Sequence, residues 1–232
     1  MDVQPGIGRR AAIALPVVVI VAVSGFVLKA AGGFEMPLSI ALNRHHHGVL
    51  GALGDLLYHV VGPVGAIIGT AVITAVLLLV TRRWTTAATF AVTIAGSWLS
   101  VAVVKLLVHR PRPDAAQLPL PYHPVQVDAS YPSGHMAFVT AVVMTTLLMM
   151  PPGAWRRLVA VLGAILVGAV ALLLTVDAVH YPTDVIASIV WVVAVAPLVH
   201  AIWVRAVLPR VGARRDRAEA HAIGRRFGTQ EH

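Results

Sequence analysis

Apolar residues run along this chain in long blocks broken by short polar connections; they do not alternate with the period of two that marks a half-buried strand. Six blocks approach the roughly 20 residues that a helix needs to cross a bilayer: 11–31, 60–81, 86–108, 134–150, 157–177 and 184–204. The fourth is the shortest, and Gly134 sets its start. Between the first two lies 32–59, which holds His45-His46-His47 and an amphipathic stretch from Val49 to Val60 that reads as an interfacial helix. The pattern predicts an all-α, polytopic membrane protein with six transmembrane helices and an interfacial helix between the first two. These helices fill residues 1–208, and 209–232 reads as a basic cytoplasmic tail, partly disordered and drawn to anionic lipids. The first block is longer than the apolar core of a signal peptide, and no clear small-residue cleavage site follows it.

Composition agrees. Of the 232 residues 58% are hydrophobic and only 12% charged, and the mean hydropathy is +0.81. A soluble domain carries about 25% charged residues, so the apolar surplus has to face lipid. The formal charge of +8 would suggest nucleic acid in a soluble protein. Here the cations stand at block ends: Arg9, Arg10, Arg82, Arg83, Arg156, Arg157, Arg205, Arg210, and then Arg214, Arg215, Arg217, Arg225 and Arg226. These are thirteen of the 18 Lys and Arg, and all fall on one side of a six-helix arrangement. By the positive-inside rule that side is cytoplasmic, with both termini, so no nucleic-acid partner is expected. With 0 cysteines, disulfides, thiolate metal sites and a cysteine nucleophile are excluded.

The other side carries Lys29, Arg44, Lys105, Arg110 and Arg112, and the last three lie within eight residues of one another. Three segments on that side hold the candidate chemistry. Lys105 to Pro113 closes the third block. Lys105 and Arg112 are seven apart, two helical turns, so both project to one face if the helix persists that far, and Pro111 and Pro113 end it. Two cations at a helix end suit an anion with several oxygens. Tyr131-Pro132-Ser133-Gly134-His135 opens the fourth block: Ser133 is a candidate N-cap, the free N–H groups favour an anion, and Gly134 permits close approach. His180-Tyr181-Pro182-Thr183-Asp184 enters the sixth. There Asp184 could accept the proton of one His180 ring nitrogen, leaving the other free as nucleophile or base. Together these are the parts for phosphoryl transfer without a metal or other cofactor. One histidine attacks phosphorus, the other protonates the leaving oxygen, and the cations neutralise the equatorial oxygens.

The three segments resemble the signature motifs of the type 2 phosphatidic acid phosphatase superfamily: Lys-x6-Arg-Pro, Pro-Ser-Gly-His and Ser-Arg-x5-His-x3-Asp. Lys105–Pro113 carries the first in full and Pro132–His135 the second. The resemblance implies a phosphohistidine formed on His180, with Asp184 orienting that ring and His135 as general acid. It also implies that Lys105, Arg112, Ser133 and Gly134 hold the phosphate; Arg110 is a candidate to compensate for the cation that the third motif lacks. The third motif is half present, because Leu173 and Leu174 stand where the family has Ser and Arg. That removes one phosphate ligand. Asp177, in place of an apolar residue, binds a substrate hydroxyl or marks the helix end.

The expected activity is a metal-independent lipid phosphate phosphatase at the non-cytoplasmic face of a bacterial inner membrane. Its substrate is a lipid monophosphate or an isoprenoid diphosphate, entering laterally between helices. The alternative is a phosphotransferase that moves a phospho-headgroup to an alcohol acceptor, since a phosphodiester carries less charge and needs fewer cations. A third class, a non-catalytic binder or transporter, would leave the two histidines, Asp184, Lys105 and Arg112 without a purpose. Residues 114–131, with Asp114 and Asp128, read as a lid. The histidine triplet reads as a loop, and His59, His109, His123 and His200 lack partners identifiable in the sequence.

Overall fold

A computed structural model describes residues 6–214; the tail arginines from Arg215 onward lie outside the described residues. Every regular element among these residues is helical. The α-helices are α1 (Ile7–Ala30), α2 (Met36–Asn43), α3 (Gly48–Val60), α4 (Pro63–Thr81), α5 (Trp84–Val108), α6 (Gly134–Met149), α7 (Ala154–Val176) and α8 (Pro182–Ile202). A π-helical turn, Trp203–Val207, carries α8 on to Arg214, so the last helix passes the expected boundary at 208 without a break.

Five helices are long and apolar enough to cross a membrane: α1, α4, α5, α7 and the extended α8. The chain is therefore a polytopic membrane protein; five of the six expected spans reach this length, and the sixth, α6, is shorter. The fourth expected span, 134–150, is the 16-residue α6, about 24 Å long at 1.5 Å per residue against a hydrocarbon core of roughly 30 Å. α6 packs along α5, α7 and α8 at the centre, and its Ala137, Ala141, Thr140 and Thr145 are buried. Small side chains let neighbouring helices approach closely where lipid supplies no hydrophobic drive between them. α4 behaves oppositely: it buries only Ala66 and turns its other apolar residues outward.

α3 occupies the expected amphipathic stretch, and Pro63 at the first turn of α4 separates the two helices. α3 packs on α7 at Gly54, where any Cβ would overlap the Asp177 carboxylate. Asn43, at the end of α2, ties three regions together. Its amide donates to the carbonyls of Leu120 (3.0 Å) and Val176 (3.1 Å), and its oxygen accepts from Leu120 N (2.8 Å).

Arg10, expected as a topology anchor, is buried and donates to the Pro197 carbonyl at 2.7 Å, so it also locks α1 onto α8. Lys29 caps the far end of α5, its Nζ 2.9 Å from the Val108 carbonyl. Because the spans alternate in direction, one end of the bundle gathers the C-termini of α1, α5 and α7 and the N-termini of α4, α6 and α8. All three candidate segments meet there.

Candidate active site

α5 stops at Val108, not at Arg112. His109 adopts the left-handed conformation (φ 49°) and its N–H closes on the Lys105 carbonyl at 3.0 Å. The shared helix face expected for Lys105 and Arg112 is therefore not what joins them. The left-handed residue and the two prolines fold the chain back, and both cations converge on one carboxylate, Asp128. Lys105 Nζ is 2.7 Å from Asp128 Oδ2, while Arg112 Nη2 and Nε are 2.8 and 3.0 Å from Oδ1. Burial alone would raise the Asp128 carboxyl, but the Lys105 hydrogen bond and the Arg112 charge outweigh it and hold it at about 2. This pair of cations with an anion between them borders a cavity of about 430 Å³ lined also by Tyr58, Trp98, Tyr122, Gln126, Gly134 and His135.

His180 lies immediately behind Arg112. Ala178, left-handed at φ 52°, turns the chain out of α7 and delivers His180 to this position, at a local cost of about 1–2 kcal/mol for a residue with a Cβ. The ring is fully buried, with Nε2 3.4 Å from Arg112 Nη1. A guanidinium only donates, so Nε2 is the acceptor and the proton of the neutral ring sits on Nδ1. Nδ1 faces Asp184 Oδ2 at 3.8 Å, an ion-pair distance rather than a hydrogen bond, and makes no other hydrogen bond. Burial, then the charges of Arg112 and Lys105, push the His180 pKa well below its ordinary value and keep the imidazole neutral.

His135 stands in the first turn of α6, its ring 6.3 Å from that of His180. Tyr58 of α3 supports it twice, by stacking at 4.1 Å and by a carbonyl 3.1 Å from Nε2. A carbonyl only accepts, so Nε2 carries a proton and Nδ1 remains for proton exchange. Ser133 is the N-cap of α6, accepting from Met136 N at 3.3 Å. It is fully buried and does not line the cavity, whereas Gly134 does.

Arg110 departs from its expected place as a phosphate ligand. Its guanidinium faces away from the cavity, 2.7 Å from Asp184 Oδ1, 2.8 Å from Glu35 Oε2 and 2.9 Å from Thr183 Oγ1, and stacks over the Tyr181 ring at 4.2 Å. Asp184 also accepts from Tyr181 N at 2.9 Å, fixing the start of α8.

Leu174, where the motif has arginine, is fully buried among Met136, Val139, Val170 and Val185, so the space of the missing cation is filled by core packing. Asp177 is buried against Gly54 with neither oxygen hydrogen-bonded, 3.5 Å from His46 Nε2; burial pushes its pKa up to about 7. It caps α7 and lies outside the main cavity. His46, from the triplet read as a loop, donates from Nδ1 to the Leu120 carbonyl (2.8 Å), with Nε2 3.1 Å from Asp55 Oδ1, and His59 meets the Tyr122 hydroxyl at 3.0 Å. Among the described residues no three His, Cys, Asp or Glu side chains converge to hold a metal ion.

A family model described as the PAP2 superfamily matches residues 86–207, more than half of the chain and all three segments. The chain belongs to the PAP2 superfamily. The fold agrees with that of a PAP2-type phosphatidylglycerolphosphate phosphatase from Bacillus subtilis, whose crystal structure superposes with a TM-score of 0.64 at 15% identity, over 81% of this chain and 92% of that one. No curated protein matches the chain. For a PAP2 protein the residues that sequence reasoning missed are Glu35, Tyr58 and the closing role of Asp128. Glu35 had one signal: it is the only acidic residue between Asp2 and Asp55, isolated at the end of an apolar block.

Proposed function

We propose that this protein is a lipid phosphate phosphatase that works through a phosphohistidine on His180. The observation that carries the reading is the seat between Lys105 and Arg112, now taken by the Asp128 carboxylate, with His180 Nε2 directly behind it. A phosphate that displaces Asp128 brings two negative oxygens to the same cations and moves Arg112 off the His180 ring. His180 Nε2 then bonds to phosphorus as the P–O bond of the leaving group breaks, and His135, entering the step protonated on Nδ1 as well, gives that oxygen its proton. Water attacks the phosphohistidine in a second step, giving up its proton to His135, and inorganic phosphate leaves. Lys105, Arg112 and the Gly134 amide at the start of α6 take up the charge on the equatorial oxygens.

The substrate class follows from two neighbouring spaces. Trp98 lines both the polar cavity and an apolar groove of about 630 Å³ between α4 and α5, bordered by Ile67, Thr70, Leu78 and Ile94. A hydrocarbon tail lies in that groove while its phosphate reaches the cations, so the substrate is a lipid monophosphate or an isoprenoid diphosphate. We place α6 as a sixth, short span, α3 at the interface and the site on the non-cytoplasmic face of a bacterial inner membrane, since the arginine-rich connections lie at the opposite end. One observation favours a second reading, headgroup transfer to an alcohol. With Leu174 packed in the core, the cradle has two cations, which suits a phosphodiester.

The test is inorganic phosphate release by the detergent-purified protein in excess EDTA, over lipid monophosphates and isoprenoid diphosphates, with His180→Ala as control. Release that the variant lacks supports the phosphatase. Headgroup transfer to an added alcohol, with no phosphate released from any substrate, would replace it with the transferase.

A further inference from the structure

The cluster behind His180 carries more negative charge than the position of His180 alone requires. Asp184 faces the ring, but Arg110 sits 2.7 Å from Asp184 and by itself would cancel its charge. Glu35, arriving just before α2 and buried, stands 2.8 Å from the other guanidinium nitrogen, and both of its oxygens engage Thr183 at the start of α8. Two carboxylates thus share one guanidinium, and the group keeps one net negative charge beside His180. That charge has a use in the reaction read above, on which this inference rests. When Nε2 bonds to phosphorus while Nδ1 keeps its proton, the ring becomes cationic, and a fixed anion on its Nδ1 side lowers the energy of that state.

We infer that Glu35 is a positioning residue for His180: by holding Arg110 it leaves Asp184 free to act as the counter-charge of the imidazole. Without Glu35 the guanidinium would neutralise Asp184, and His180 would face Arg112, Lys105 and His135 on its other side with only Asp128 to offset them. Glu35 touches neither the cavity nor the ring, so its effect passes wholly through Arg110 and Asp184.

Charge bookkeeping separates this role from simple bracing. Glu35→Gln leaves the cluster neutral. The double variant Glu35→Gln/Arg110→Gln returns it to one net negative charge, and Glu35→Asp keeps that charge throughout. Two readouts are taken on the full-length protein in detergent: kcat and KM against pH, and the titration of the His180 imidazole by 15N NMR. For Glu35→Gln the His180 titration and the acid limb of kcat move to lower pH by about one unit, with kcat about tenfold lower and KM unchanged. Glu35→Asp titrates as the parent does, and the double variant recovers most of what Glu35→Gln loses. An unmoved titration in Glu35→Gln overturns the inference. So does a double variant that falls as far as the single one, or a Glu35→Asp protein as impaired as Glu35→Gln, since either makes Glu35 a brace. If even the parent protein releases no phosphate, the phosphatase reading fails separately, while the His180 titration still decides the role of Glu35.

Discussion

Two charged triplets flank His180, and they are built in opposite ways. On the Nδ1 side, Glu35, Arg110 and Asp184 form an anion–cation–anion cluster that is almost wholly buried and further tied to Thr183 and the Tyr181 amide. On the Nε2 side, Lys105, Asp128 and Arg112 form a cation–anion–cation cluster whose central carboxylate is 55% exposed and borne on the loop between α5 and α6. Removing a partner from a buried pair leaves an uncompensated charge, so the first cluster resists rearrangement. The second loses little when its exposed anion is exchanged for another, because water and an incoming phosphate both compete for the same cations. On the proposed reading one side is a fixed counter-charge and the other an exchangeable seat, with His180 between them as the nucleophile.

The largest effect should come from emptying the seat of a cation. Arg112→Ala removes a partner of the phosphate and of His180 Nε2, and kcat/KM should fall roughly 10²–10³-fold. A fall of less than tenfold would mean that the seat is not where charge develops. Next, Asp128→Asn removes the resident competitor. Inorganic phosphate, read by calorimetric titration, should then bind about tenfold more tightly, one pKa unit's worth of free energy. Weaker binding would show instead that Asp128 shapes the cradle and is not displaced from it.

The smallest effect belongs to Asp177, outside both clusters. Its folded pKa of about 7 lies above the unfolded value of 3.8, so the protonated form supports the fold below pH 4 and that support is lost as pH rises through 7. Asp177→Asn should flatten the pH dependence of thermal stability across this window and leave kcat/KM within about twofold. An unchanged pH slope would place the titration elsewhere.

Much of this arrangement was legible in the sequence, and the residues show where legibility ended. The apolar block 86–108 reports α5 within two residues of its start, because lipid exposure demands an uninterrupted run. The 134–150 block forms the shorter α6, which packs centrally on three helices, so five long spans stand where six were expected. Lys105, Arg112, Gly134 and His135 meet at one cavity as the motif order implied. Arg110 meets Glu35, which lies 75 residues earlier, and no local pattern links the two. Leu174 appeared in the sequence as a missing ligand, and only its packed surroundings show that no gap was left. Asp128 was one acidic residue in a proline-rich loop until the fold brought two cations to it.

A covalent step at His180 leaves a phosphohistidine that chemical trapping can catch. The purified protein is mixed with a 32P-labelled lipid phosphate in EDTA, quenched within one turnover, and the protein-bound label is tested for stability. Label should survive alkali, be lost in mild acid as a phosphoramidate is, and be absent from His180→Ala. Label that persists in His180→Ala, or release of phosphate by the parent protein with no bound label at any time in the turnover, would contradict the covalent step.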